Sequence, residues 1–285
     1  MHPHAKWLPD RRRLHLQHGP SDLIIFVDGE REKAYAAAVA RFQTVIKEVM
    51  DELDLLQRFI TPVSEPPQGA IALRMFEATR HFADLRCVTS MAAVAGAIAD
   101  EILTTMKQHA ELKRAYVNNG GDISVFLTRG TQFETLIAGA DNSRLGRLRI
   151  DHRQGAGGLA TSGRHGRSLS LGIADSVTTI SNSAALADVA ATLIGNEIDL
   201  KDHPAIIRKP AKALRDETDL KNISVVVECG ALSVRDVKLA LENGLKFAKS
   251  LYQKGLISGA CLHLRGETIA IGGGNYVDLK DYSHV

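Results

Sequence analysis

The sequence predicts an α+β protein in which antiparallel sheets pack against helices, and three observations carry that expectation. A strand pair followed by a long helix opens the chain, and a helix followed by a strand pair closes it, so the two ends mirror each other loosely. Between them, helical and strand patterns do not alternate strictly, which disfavours a doubly wound parallel sheet. The stretch Gly155 to Asn196 joins a Gly/Ser/Thr-rich loop, a short β-branched strand and a small-residue helix, and it gathers more glycines, hydroxyls and potential ligands than any other part of the chain. The 285 residues can bury one large core, so residues 1–285 are expected to form a single domain, with two intertwined α+β lobes as the variant left open.

The elements follow in order. Arg13 to Gln17 alternates, Asp22 to Val27 is a compact apolar run, and the turn-like HGPS between them makes a hairpin. From Glu30 to Arg58 apolar residues recur at helical spacing (Tyr35, Ala38, Phe42, Val45, Val49, Leu53, Leu56), which predicts one long amphipathic helix. Thr61 to Gly69 is a loop with three prolines. Ala70 to Phe82 and Thr89 to Met106 are further helices. The second of these begins SMAAVAGAIADEI, whose small side chains let another backbone or a ligand come close, and a packed core helix is the plainer of the two readings. Ala115–Asn118, Ile123–Leu127, Gln132–Ala138 and Arg144–Ile150 read as strands. Asp199 to Lys221 is a polar surface excursion with no structure assigned. A strand (Ile223–Cys229), a helix (Ser233–Tyr252) and a hairpin turning at Arg265-Gly266 end the chain. Ser233 and Asp236 suit a capping box, and Gly272-Gly273-Gly274 reads as a flexible turn.

A net charge of +2 is too weak to call for nucleic acid or an anionic membrane. Cys87, Cys229 and Cys261 are far apart and form no CxxC pair, which argues against a zinc cluster or a disulfide framework and fits a reducing compartment. The basic N-terminal residues lack the apolar core of a secretory signal, and no apolar run approaches the ~20 residues that span a bilayer. A cytoplasmic location is therefore expected, with no membrane partner.

Three constellations carry chemistry. Asn119-Gly120-Gly121-Asp122 lies between strands, where glycines can expose successive N–H groups to an anion such as a diphosphate, although Asn-Gly is equally a leading hairpin dipeptide. Ala160-Thr161-Ser162-Gly163 offers hydroxyls and amides, and the following Arg164, His165 and Arg167 add charge and a proton donor. Together these suit phosphate oxygens, or else form a solvated basic loop. On the next helix Asp188 and Thr192 are four apart and share a face, so they can share a magnesium ion, which takes few protein oxygens; an Ala-rich buried helix with a stray Asp is the alternative. Asp175 could serve as a further ligand or a base, or end a turn. The remaining histidines are scattered. HExxH, GxSxG, GxGxxG and Walker A patterns are absent.

These pieces in this order resemble the ApbE family of magnesium-dependent FAD:protein FMN transferases. Asn119-Gly120-Gly121-Asp122 matches the family's GGD element, Ala160-Thr161-Ser162-Gly163 its ATSG, and Ser176-Val177-Thr178 through Ala187-Asp188 and Thr192 its SVTV…ADxxAT. Thr89 to Asp100 matches the small-residue segment DxGAxAKGxxxD, with Ala95 in place of its lysine. The family's HxxDPxTG segment is replaced by the compact RHGRSLSLGIAD, where His165 and Asp175 are the stand-ins. This shortened pattern is similar to uncharacterised protein family 0280. The resemblance implies a T-fold-related ApbE-like body. It implies metal ligation by Asp188, Thr192 and the Ala92 carbonyl, a flavin nucleotide site lined by Asn119, Gly120, Gly121 and Asp122, and a diphosphate near Thr161, Ser162 and Gly163. Mg2+ and FAD would be cofactor and substrate or ligand, a flavin or adenine nucleotide the partner, and His165 and Asp175 the catalytic pair. A protein acceptor and an oligomer are left open. FAD diphosphate cleavage or FMN transfer is the expected activity, and a non-catalytic nucleotide- or anion-binding module of the same fold is the alternative.

Overall fold

A computed structural model of the protein describes residues 3–138, 144–272 and 276–278; His2, Gly273, Gly274 and His284 lie outside them. In chain order the elements are β1 (His4–Trp7), β2 (Arg13–His18), β3 (Ser21–Gly29), α1 (Arg31–Asp51), α2 (Leu53–Leu56), α3 (Ala70–Arg80), α4 (Val94–His109), β4 (Leu112–Asn119), β5 (Asp122–Leu127), β6 (Gln132–Ala138), β7 (Arg144–Asp151), β8 (Gly158–Ser162), β9 (Ser176–Ser181), α5 (Ala184–Glu197), β10 (Ile206–Pro210), β11 (Ser224–Cys229), α6 (Val234–Gln253), β12 (Gly259–Leu264), β13 (Glu267–Ile271) and β14 (Tyr276–Asp278). Among the described residues no helix is long and apolar enough to cross a membrane. The chain separates into two units made of interleaved segments. The first holds the described residues up to Gln132, Asp151–Ala160 and Ser181–Val189; the second holds Phe133–Ile150, Thr161–Ile180 and the described residues from Ala190 onward.

In the first unit the strand order is β1-β2-β3-β4-β5-β8, and every pairing along it is antiparallel. β3 shows why: Leu23, Ile25 and Val27 alternate along it and are all fully buried, so one face of the strand belongs to the core. α1 lies on α4, and α4 lies on β4 and β5. The expected single helix over residues 30–58 is interrupted at Glu52. Its carboxylate accepts the N–H groups of Gln68 (2.9 Å) and Gly69 (2.6 Å), satisfying donors at the start of α3. The helix expected from Thr89 begins instead as a 3-10 turn, Ser90–Ala93, before α4.

In the second unit β9, β12 and β13 pair antiparallel in that order, and α6 lies against β12 and β13. The α6 capping box is present: the Ser233 hydroxyl accepts the Asp236 N–H at 3.2 Å, and the Asp236 carboxylate accepts the Ser233 N–H at 3.0 Å. Arg265 (φ 51°) and Gly266 (φ 83°) make the two-residue turn that closes β12 onto β13. The polar excursion acquires a structure the sequence did not announce: β10 forms within it and pairs with β11, the strand expected over residues 223–229, in a two-stranded ribbon. A third sheet has the order β14-β7-β6.

Candidate functional site

Each unit carries a polar cluster built on predicted site residues. In the first unit, the small residues of α4 serve a backbone approach. A Cβ on Gly96 would lie 2.3 Å from the Ala184 carbonyl oxygen, so only glycine lets the start of α5 come this close. That approach puts the buried Asp100 at the first turn of α5. Its Oδ1 accepts the Ala184 N–H at 3.1 Å and the Ser124 hydroxyl at 2.5 Å, and its Oδ2 accepts the Ala185 N–H at 2.9 Å. Burial pushes the Asp100 carboxyl above the usual carboxylate range, against the pull of Ser124 and the two amides.

One turn into α5, Asp188 Oδ2 accepts the Gly96 N–H at 3.1 Å. Burial raises its carboxyl well above the usual range, and the charge of Asp122 raises it further. The amides of Gly96 and Ala95 oppose that shift, and Asp100 adds to it. Asp188, Asp122 and Asp100 thus form an acidic group in which each further negative charge is disfavoured. Ala92 sits a turn earlier, in the 3-10 segment, where its N–H bonds the Thr89 carbonyl at 3.2 Å.

Asn119-Gly120-Gly121-Asp122 is the turn of the β4–β5 hairpin, with Asn119 paired to Asp122. Gly120 (φ 68°) and Gly121 (φ 117°) adopt values that side chains disfavour. The Gly121 N–H donates to Asn118 Oδ1 at 2.8 Å, so one amide of the expected anion nest is already engaged. Asn119 is buried and bridges elements: its Nδ2 donates to the Ala95 carbonyl (3.1 Å) and its Oδ1 accepts the Asp22 N–H (3.2 Å).

In the second unit, Thr161 and Ser162 end a strand rather than sitting in a loop. The Thr161 and Thr178 hydroxyls are 2.9 Å apart, and Thr192 Oγ1 is 3.5 Å from Ser162 Oγ. Gly163 is held by packing, since a Cβ there would lie 2.4 Å from the Asp175 carbonyl oxygen. Asp175 collects four donors. Its Oδ1 accepts Arg164 Nε (3.1 Å) and Nη2 (2.9 Å) and lies 3.3 Å from His165 Nε2; its Oδ2 accepts the Arg265 N–H at 2.6 Å. Burial works to raise this carboxyl, but the Arg265 amide, the Arg164 guanidinium and His165 outweigh it and hold it below the usual range. Its lone pairs are committed, so Asp175 acts here as an anchor for a cationic loop, with the His165 ring, 40% exposed, presented beside it.

The structure therefore joins Asp188 with Asp122 in one unit, and His165 with Asp175 and Ser162 with Thr192 in the other. Asp100, Ser124, Asn118 and Arg265 were not singled out from sequence. For Asp100, its place at the end of the small-residue segment was a usable signal. For Arg265, 90 residues from Asp175, there was none.

A family model described as AbpE bacteria matches residues 5–270. The UPF0280 protein of Methanothrix thermoacetophila is 36% identical over 169 residues, covering 57% of this chain and 67% of its own length. That of Methanopyrus kandleri is 35% identical over 141 residues, covering 49% and 56%. The UPF0280 protein of Archaeoglobus fulgidus is 32% identical over 189 residues, covering 66% and 76%. The match thus spans from 56% to 76% of the length of these relatives. Among solved structures, the flavin transferase ApbE from Vibrio cholerae is similar with a TM-score of 0.50 at 11% identity, covering 94% of this chain and 97% of that one. The ApbE protein from Thermotoga maritima is similar with a TM-score of 0.50 at 12% identity, covering 95% and 97%. At these identities the likeness is one of fold, and the antiparallel sheets and helices described above are that fold. The chain belongs to the AbpE bacteria family, as an ApbE-like protein of the UPF0280 branch.

Proposed function

We propose that the protein binds FAD, or a related flavin or adenine dinucleotide, together with Mg2+, and cleaves or transfers across the diphosphate. The observation that carries this reading is Asp188: a carboxylate seated on the Gly96 amide, with Asp122 and Asp100 acting on it, in a chain of ApbE fold. Such a carboxylate can relieve its charge by holding a proton or by holding a cation. Mg2+ takes few protein oxygens and keeps sites for phosphates. Asp188, Thr192 and the Ala92 carbonyl would hold it. Bound there, the ion supplies neutralisation of diphosphate charge and a template for its oxygens.

The residues of the chain do the rest. The Gly120 turn of the first unit would donate to phosphate oxygens, and the Thr161, Ser162 and Gly163 backbone of the second offers donors of the same kind. An acceptor hydroxyl, from a protein side chain or from water, forms a bond to the phosphorus on the FMN side. The P–O bond to AMP breaks, AMP leaves with the electron pair, and His165 takes the hydroxyl proton. The test is incubation with FAD and Mg2+ followed by chromatography for AMP and FMN. Release by wild type and loss of release in Asp188→Ala supports the reading. Equal activity or equal inertness of the two overturns it.

A second reading is favoured by one specific observation: the four donors on Asp175 leave no free base beside His165. The protein would then bind the nucleotide without turning it over. A thermal shift with FAD and no AMP released is its signature.

A further inference from the structure

The excursion from Asp199 to Lys221 and the strand β11 that follows it have no part in the site so far, yet they grip the loop that does. That loop is closed at its base by Arg164 N–H to the Ala174 carbonyl at 2.9 Å. The β10–β11 ribbon and the connection between its strands meet the loop at three successive points. Arg215 Nη2 donates to the Arg167 carbonyl at 2.6 Å, the Val226 N–H donates to the Ser170 carbonyl at 2.8 Å, and Arg208 Nη1 donates to the Leu171 carbonyl at 2.6 Å. Arg208 is itself fixed, because its Nη2 donates to Asp199 at 2.5 Å and its side chain is only 24% exposed. Leu171 is held from its other side as well, its N–H donating to Asn196 Oδ1 on α5 at 3.0 Å. At the far end of the ribbon, Arg265 donates Nη2 to the Cys229 (2.5 Å) and Gly230 (2.8 Å) carbonyls while its own N–H holds Asp175. The ribbon therefore bonds the loop directly and also reaches, through Arg265, the carboxylate that Arg164 and His165 lean on.

Guanidinium donors suit this task. They are planar, always charged and rigid, and a carbonyl bonded to a charged donor is held more firmly than one bonded to a neutral donor. A surface loop without such bonds would sample many conformations. We propose that Arg208, with Arg215 in support, is a positioning residue: it fixes residues 164–171 so that the His165 imidazole stays against Asp175, with Arg164 on the same carboxylate. The ribbon would then do by packing what the longer family segment, missing here, does by its length. The catalytic meaning of this role rests on the proposed nucleotide reaction; the bracing itself does not.

The experiment uses the full chain as wild type, Arg208→Ala, Arg208→Lys and Arg215→Ala. Two readouts are independent of turnover: amide hydrogen exchange over residues 165–171, and the resonances of the His165 imidazole ring at fixed pH, which report its contact with Asp175. In Arg208→Ala, exchange in that segment should rise about tenfold and the His165 ring resonances should shift and broaden. Arg208→Lys, which keeps a cation and one donor, should recover most of both. Arg215→Ala, a change at an exposed side chain, should loosen the segment less and guards against a folding defect in the first variant. With FAD and Mg2+, kcat of Arg208→Ala should fall about tenfold while KM changes by less than about twofold, the mark of a misplaced group rather than a lost contact. Unchanged exchange and unmoved His165 ring resonances in both alanine variants overturn the proposal. A wild type that releases no AMP overturns the nucleotide reaction, and exchange and the His165 signal then decide the brace by themselves.

Discussion

The two units handle buried aspartate in opposite ways. In the first, Asp100 and Asp188 accept hydrogen bonds only from neutral groups, Asp122 and Asp100 press on Asp188, and the charge of Arg74 does not offset burial at Asp100; both carboxyls are pushed up. In the second, Asp175 is also substantially buried, but its neighbours are the Arg164 guanidinium, His165 and the Arg265 amide; its carboxyl is held down. Desolvation is the largest influence on all three, so burial alone does not fix the outcome. The charge of the surrounding donors decides the direction. A carboxylate left wanting a proton or a cation is equipped to bind a cation, whereas one already paired is equipped to hold other side chains in place.

The comparison breaks most sharply at Asp100. Replacing it with alanine leaves the Ala184 and Ala185 amides and the Ser124 hydroxyl without their acceptor, inside the core. A loss of about 3 kcal/mol is expected in urea unfolding. Asp100→Asn keeps an acceptor oxygen and should lose clearly less. An asparagine variant as unstable as the alanine one would show that charge, not hydrogen bonding, holds α5.

Asp175 comes next. Asp175→Ala strands a guanidinium and an amide that remain partly open to water, so a cost of about 2 kcal/mol is expected. The pH dependence follows from the lowered carboxyl. Its stabilisation is complete above the unfolded value of ~3.9 and is lost as pH falls through the lower folded value. Wild type and Asp175→Asn should therefore differ at neutral pH and converge in acid. Curves that stay parallel down to the acid transition would remove the ion pair from the account.

Asp188 should give a smaller effect of opposite sign. An acid whose folded value is raised binds its proton more tightly when folded. Its ionisation costs nothing below the unfolded value of ~3.9, costs more as pH rises through the folded value, and costs fully above it. Without divalent metal, Asp188→Asn should thus match wild type in acid and exceed it at pH 7. Added Mg2+ should raise the melting temperature of wild type and leave the variant unmoved. A wild type indifferent to Mg2+ from acid to neutral pH would refute the cation reading of this cluster.

Much of this architecture was readable from local pattern. Asp22 to Val27 is a compact apolar run, and β3 lies there; Arg265-Gly266 is a turn dipeptide, and it turns. What escaped was set by contacts distant in sequence. Glu52 looks helical, yet its carboxylate serves amides sixteen residues on. Thr161 and Ser162 are small and polar, and they end a strand, β8, whose Gly158 and Leu159 pair with the distant Ser124 and Ile123 of β5. β10 was not foreseen, and its pairing with β11 shifts register between Ile207 and Arg208. The placement of Asp188 and Thr192 on one helix was legible in their spacing. The hydrogen bonds of Asp175 were not, since one of them comes from Arg265, 90 residues away in sequence.

The smallest effect tests the neutral limit of the comparison. Asn118 Oδ1 accepts the Gly121 N–H in the β4–β5 turn, a bond between uncharged partners in a half-buried setting. Asn118→Ala should cost about 1 kcal/mol in urea unfolding, and that cost should be the same at pH 5 and pH 8, because neither partner titrates. The same change frees the Gly121 amide to face outward from a turn whose glycine backbone angles are already set. If that turn contacts phosphate oxygens, the variant should bind FMN at least as tightly as wild type despite its lower stability, read by flavin fluorescence. Weaker binding would mean that Asn118 shapes the turn for its ligand, and that the hairpin geometry matters more there than the number of open amides.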